Sequence, residues 1–336
     1  MNLYLGMETE LVFVDTAHPE ESNVVLPDTR VAALAADPNA PERLYCGTYG
    51  QGLLKSVDSG NTWNRVGNGT IASANVLSVA ISRTKPDRVF AGTEPSALYR
   101  SDDGGATWAE LTSLQDLPSK RFWSFPPKPD THHVRWITPL PHDADRLLVA
   151  IEAGALVRSS DGGASWQDRV DGGPIDSHTV VVHPDAPERV LSAAGDGCFE
   201  SEDGGRTWSK AEDGLPYRYC YGLAVDSGSP GLAVMSVAPN AGRGHSGRDR
   251  AHSSIVRREG DGPWETITTG LPEPEGTSLA MIAAVPGSAG GFVALNNKGV
   301  FITEDGARSW RKLDVPWKDA YLDRRPPALA LVAGAW

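Results

Sequence analysis

The sequence predicts an all-β chain built as a ring of repeated four-stranded sheets, and three observations carry that prediction. An octapeptide recurs as "SVDSGNTW" (56–63), "SDDGGATW" (101–108), "SSDGGASW" (159–166), "SEDGGRTW" (201–208) and "TEDGARSW" (303–310), with a shortened copy "REGDGPW" (258–264). The tryptophans closing these copies, Trp63, Trp108, Trp166, Trp208, Trp264 and Trp310, stand 45, 58, 42, 56 and 46 residues apart. Four-stranded propeller blades repeat at roughly 40–45 residues. Short aliphatic or alternating segments fill the intervals, and no segment sustains a helical period. Together these describe a seven-bladed β-propeller occupying residues 1–336 as one domain.

Each interval reads the same way. An aliphatic strand such as "VAALAAD" or "TVVVHP" comes first (A), then a second ("RLYCGT", "RVFAGT", "RLLVAI", "RVLSAA"; B). A short alternating strand follows ("GLLKS", "ALYRS", "ALVRS", "CFES", "VFIT"; C), then the octapeptide, then a strand starting near its Trp (D). The octapeptide suits a tight hairpin: Asp and Ser side chains bond the turn's own backbone, Gly supplies φ > 0, and Trp covers a neighbouring apolar face. The two ends complete the ring. Residues 2–26 supply B, C and D strands without an A strand, and "PALALVAGAW" (327–336) supplies an A strand without followers. Joined, they form the first blade, which removes the exposed edges of an open array.

Composition narrows the function classes. Against 43 Asp+Glu stand 31 Lys+Arg, a net charge of −12, and the cations are scattered. This disfavours nucleic acid and anionic membrane surfaces as partners. Cys46, Cys198 and Cys220 are odd in number and lack metal-site spacing, which suits a reducing compartment. The N-terminus has no basic, apolar leader pattern, and no apolar run nears the ~20 residues of a spanning helix. The expectation is a soluble, cytoplasmic protein.

The pattern S-x-D-x-G-x-T/S-W resembles the Asp-box, or BNR, repeat of sialidase-like and glycosyl-hydrolase-like β-propellers, over residues 30–315. The resemblance implies that the A strands line a central channel. It also implies that ligands bind where the A strands begin, among the D–A and B–C loops. It does not extend to sialidase activity, because the Arg-Ile-Pro motif and a third channel arginine are missing. One such fold hosts many activities.

Arg43, Arg88, Arg146 and Arg189 share one position in the A–B turns and align the A strands. Eleven residues upstream stand Ala32, Leu77, Arg135 and His178, and Tyr221 is their equivalent in the next blade. Two residues earlier come Arg30, Asn75, His133, Asp176 and Tyr219. Strand alternation puts His133, Arg135 and Ile137 on one face, and His132, Val134 and Trp136 on the other. The B–C turns add Tyr49, Glu94 and Glu152, with Asn296 and Asp196 in later blades. Two long insertions, "LQDLPSKRFWSFPPKPDTHH" (114–133) and "APNAGRGHSGRDRAH" (238–252), rise on this side.

These residues support a polar site on blades three to six. His178, Arg135, Tyr221, Glu152 and Glu94 are the candidate catalytic groups. His178 would act as base, a tyrosine as proton donor, Arg135 as partner of a substrate carboxylate, and Glu94 with Glu152 as a glycosidase pair. Tyr219, Asp176, Arg30, Asn75 and Tyr49 are candidate substrate contacts. His133, His178 and Glu152 form a ligand set for divalent Zn, Mn or Fe. Two functions stay open. One is a hydrolase- or lyase-type enzyme acting on a small polar or saccharide-like substrate. The other is a non-catalytic binding or assembly propeller whose protein partner meets the aromatic "RFWSFPP" (121–127).

Overall fold

Strand pairing follows the repeat. The computed structural model describes residues 1–332 and contains six four-stranded antiparallel sheets and one three-stranded sheet among them. These are the blades of a seven-bladed β-propeller. The first blade joins the chain's two ends: Ala328–Val332 pairs antiparallel with Asn2–Gly6, which continues to Leu11–Asp15 and Asn23–Leu26. The last four residues of "PALALVAGAW" lie outside the described residues. The A strands of blades two to seven are Val31–Asp37, Val76–Ile81, Val134–Leu140, Ser177–His183, Tyr219–Val225 and Met281–Ala284. The three-stranded sheet is blade four, whose expected D strand is reduced to a single bridge between Arg158 and Gln167.

The chain falls into two compact units. One comprises residues 1–28, 193–199 and 210–336, and the other residues 29–192 and 200–209. The first unit holds a core of Leu3, Leu5, Val14, Leu279, Val293 and Leu295, and the second holds cores around Phe90, Leu147 and Val149 and around Tyr45, Val89 and Trp108. No helix among the described residues is long and apolar enough to cross a membrane.

The octapeptide builds one hairpin several times over. In the second blade, Ser56 Oγ donates to Asp58 Oδ1 (2.8 Å) and accepts from the Gly60 amide (2.9 Å). Asp58 also accepts from the amide and hydroxyl of Thr62, and Trp63 Nε1 donates to the Gly60 carbonyl. Asp103, Asp161, Asp203 and Asp305 repeat the pattern with Thr107, Ser165, Thr207 and Ser309. The turn needs left-handed backbone: Gly104 and Gly105 have φ of 65° and 89°, and Ala307 holds 63° in the fifth copy.

Three of the A–B turn arginines, Arg43, Arg88 and Arg146, are latches between successive blades. Arg43 pairs with Asp37 of its own blade and reaches Asp87 of the next at 2.7 Å. Arg88 pairs with Asp102 and with Asp145 of the following blade, and Arg146 with Glu188 at 2.8 Å.

Candidate functional site

The two sequence rows meet through the backbone. The amides of Tyr49, Glu94 and Glu152 donate to the carbonyls of Arg30, Asn75 and His133 at 2.9, 3.1 and 3.2 Å. Each B–C turn is thereby fixed over the start of its own A strand. In the first two pairs three side chains serve the scaffold or each other: the Arg30 guanidinium stacks 4.9 Å from the Tyr49 ring, and Asn75 Oδ1 caps the Gly50 amide, whereas Glu94 turns toward the third pair.

The third pair begins a charged cluster. His133 Nε2 lies 2.8 Å from Glu152 Oε2, and Arg135 Nε lies 3.4 Å from the same oxygen. Glu152 Oε1 faces His178 Nε2 at 3.9 Å, and Asp176 Oδ2 lies 3.8 Å from that nitrogen. On the other side of the His133 ring, Nδ1 is 3.6 Å from Glu94 Oε2, and Lys128 holds Glu94 Oε1 at 2.9 Å. His178 is fully buried and Arg135 is 8% exposed. Burial opposes ionisation of Glu152, but the His133 hydrogen bond and the charges of His178, His133 and Arg135 outweigh it. Its carboxyl is held far below the usual range.

Backbone geometry aims these groups. Val134 pairs with Ile151 and Trp136 with Ala150, which leaves Arg135 as the extra residue of a β-bulge. Blades two and three have bulges at the equivalent Ala32 and Leu77. A bulge re-aims its side chain and shifts the alternation beyond it. The expected faces are corrected accordingly. His133 and Arg135 do converge on Glu152, but Ile137 packs in the same apolar cluster as Val134, while Trp136 packs in another. Next to Glu152, Ala153 holds φ 50°, and its amide donates to Asp176 Oδ1 at 2.8 Å. Strain of this kind persists where surrounding contacts enforce it.

The 114–133 insertion closes over the histidines. Phe125 meets His133 edge-on at 4.8 Å, and Trp123 meets His132 at 5.4 Å. Trp123 is buried against Gly154, where a Cβ would stand 2.9 Å from its ring, so only glycine admits this packing. The expected exposed aromatic surface thus reduces to Phe122, which is 54% exposed.

The side chains spaced closely enough to hold a cation differ from the His133, His178 and Glu152 expected. Ligand atoms of Glu152, Asp176 and His178 all lie within 4.8 Å of one another. His133 is instead hydrogen-bonded to Glu152 Oε2 and is not one of this trio. Asp176, expected to contact substrate, takes the third place. The imidazole also stands between Glu94 and Glu152, bonded to Glu152 and 3.6 Å from Glu94, in the space a glycosidase pair would leave for its substrate.

Tyr219 and Tyr221 belong to the other unit, in a second cluster. Tyr219 Oη is 2.9 Å from His245 Nε2, Arg325 Nε donates to His245 Nδ1 at 2.9 Å, and the guanidinium lies 4.3 Å over the Tyr221 ring. Because Nδ1 accepts, the ring proton sits on Nε2 and points to Tyr219. Sequence reasoning missed His245 and Arg325. The only signal for His245 was the length and Gly/Arg/His content of the 238–252 insertion.

No protein-family model and no curated protein matches the sequence. Solved structures do match. The GH74 enzyme of Niastella koreensis aligns with a TM-score of 0.72 and 18% identity, covering 92% of this chain and 52% of that one. An ancestral GH74 enzyme aligns at 0.66 and 16%, covering 95% and 41%. YCF48 bound to D1 peptide aligns at 0.58 and 16%, covering 84% and 81%. These likenesses establish the fold. The chain spans about half the length of the GH74 enzymes it matches.

Proposed function

We propose that the Glu94–His133–Glu152–Arg135–Asp176–His178 cluster is the active site of a hydrolase- or lyase-type enzyme for a small polar or saccharide-like substrate, with a divalent cation on Glu152, Asp176 and His178. The observation that carries this reading is the split use of one buried carboxylate. Glu152 Oε2 is held by His133 and Arg135, while Oε1 is presented toward His178 and Asp176. A carboxylate bonded on one oxygen by His133 and approached there by Arg135 is a poor general acid, and its other oxygen is available to a cation. One imidazole and two carboxylates suit Zn, Mn or Fe, whose Lewis acidity would polarise a substrate oxygen. Lys128 neutralises Glu94, and the His133 hydrogen bond fixes the orientation of Glu152.

The hairpins are read, within the same proposal, as Asp-box repeats of sialidase-like propellers, supported by their recurring Ser–Asp–Thr/Ser bonding. The three cysteines are buried free thiols, which supports a cytoplasmic location.

The test is a panel of aryl glycosides and uronate-containing oligosaccharides, assayed with added Zn, Mn or Fe for reducing ends or for an unsaturated product. The expected result is metal-dependent turnover that falls by about 100-fold or more in Glu152→Gln and His178→Gln, with the melting temperature held within a few degrees. Turnover unaffected by both substitutions contradicts the assignment. A binding or assembly role is the second reading. It is favoured by the exposed Phe122, stacked by Arg121 and Arg169, and by the likeness to a propeller solved with a peptide.

A further inference from the structure

We infer that a cavity of about 220 Å³ beside the Met7–Glu10 turn of blade one binds a small polyhydroxylated monocarboxylate, anchored on Arg325. The cavity shares no residue with the cluster above, so this inference stands apart from the proposed enzyme activity. Its charged lining is Glu8, Glu10, Lys318, Arg324 and Arg325. Lys318 Nζ sits 2.6 and 2.8 Å from the two oxygens of Glu10, to which Tyr321 also donates, and Arg324 pairs with Glu8 at 3.2 Å. Four of the five charges therefore cancel. Arg325 has no carboxylate partner among the described residues.

Arg325 is also held in place. Nε donates to His245, Nη1 donates to the Pro326 carbonyl at 2.9 Å, and the plane stacks on Tyr221. Nη2 remains for a ligand. A fixed guanidinium loses little freedom on binding and favours planar oxyanions, and a half-buried cation without a counter-ion is costly until one arrives. The surplus is a single positive charge. A carboxylate cancels it, whereas a phosphate with charge near −1.5 to −2 would leave net negative charge beside Glu8 and Glu10. The volume is below the ~300–1,000 Å³ of drug-sized pockets, and Thr9, Glu10 and Lys318 offer hydroxyl partners. A sugar acid of monosaccharide size meets these conditions.

The test titrates the full chain with D-glucuronate, D-glucose and inorganic phosphate by ligand-observed NMR. Glucuronate is expected to bind saturably, roughly tenfold or more tighter than glucose or phosphate, with a comparable loss in Arg325→Met. Glucuronate no tighter than glucose overturns the inference, as does phosphate binding more tightly or Arg325→Met leaving affinity unchanged. If Arg325→Met fails to fold, Arg325→Lys keeps the charge but not the fork, and it should weaken glucuronate by about threefold or more; unchanged affinity there overturns the inference equally. A negative result here leaves metal binding at Glu152, Asp176 and His178 unaffected.

Discussion

Single residues show how closely the repeat constrains its chemistry and where it yields. Ala307 stands where the other octapeptides carry glycine, is fully buried, and keeps their left-handed backbone at φ 63°. An L-residue costs about 1–2 kcal/mol there, partly offset by the freer unfolded chain of glycine. Ala307→Gly should therefore stabilise the protein by about 0.5–1 kcal/mol in urea unfolding; a loss of stability would show that the methyl's packing dominates. The proximity of His133 and Glu152 was legible because a register of turn arginines aligned the strand and turn that carry them. The approach of Asp176 to Glu152 and His178 was not, since it depends on the Ala153 amide of one blade donating to Asp176 of the next. Arg325 and His245 meet across loops whose lengths are visible in a sequence but whose paths are not.

At the scale of strands and turns, the turn arginines and aliphatic runs located the A strands of blades one to six, yet alternation misassigned the face beyond the bulge at Arg135. A bulge adds one residue without changing composition, so alternation alone does not reveal it. Blade four likewise lost its D strand although its octapeptide is intact. Three of the turn arginines, first useful only as an alignment mark, prove to be latches. Arg88 is 8% exposed and spans Asp102 and Asp145 of successive blades. Arg88→Met should cost roughly 1–3 kcal/mol, because it strips charged hydrogen bonds from a mostly buried group. The same change at exposed Arg65 should fall within about 0.5 kcal/mol. Equal effects at the two positions would remove the latch from the account.

For the whole molecule, the repeated hairpins act together in acid. Hydrogen bonds from Thr107 and Ser165 hold Asp103 and Asp161 at about 2; for Asp305 burial is the largest single influence and raises it, but the bonds from Ser309, Thr303 and Arg308 together outweigh it and hold it at about 2 as well. A carboxyl lowered on folding contributes stability above its unfolded pKa near 4, and that contribution is lost as pH falls toward 2. The urea midpoint should be flat from pH 7 to about 5 and drop steeply between about 4 and 2. Asp103→Asn should flatten that drop, and an unchanged acid slope in this variant would refute the hairpin origin. Blade number and ring closure were legible throughout, because both follow from counting repeats and matching the two ends. Function was not, since it rests on which polar groups the turns bring within a few ångströms.

The central claim is that Glu152, Asp176 and His178 form a divalent-cation site oriented by His133, and Mn²⁺ titration of the purified chain by electron paramagnetic resonance tests it most directly. The account predicts one saturable site per chain, abolished in Asp176→Asn and His178→Gln and weakened about 10–100-fold in His133→Gln. Absence of saturable binding, or binding that survives loss of Asp176 and His178, would contradict it.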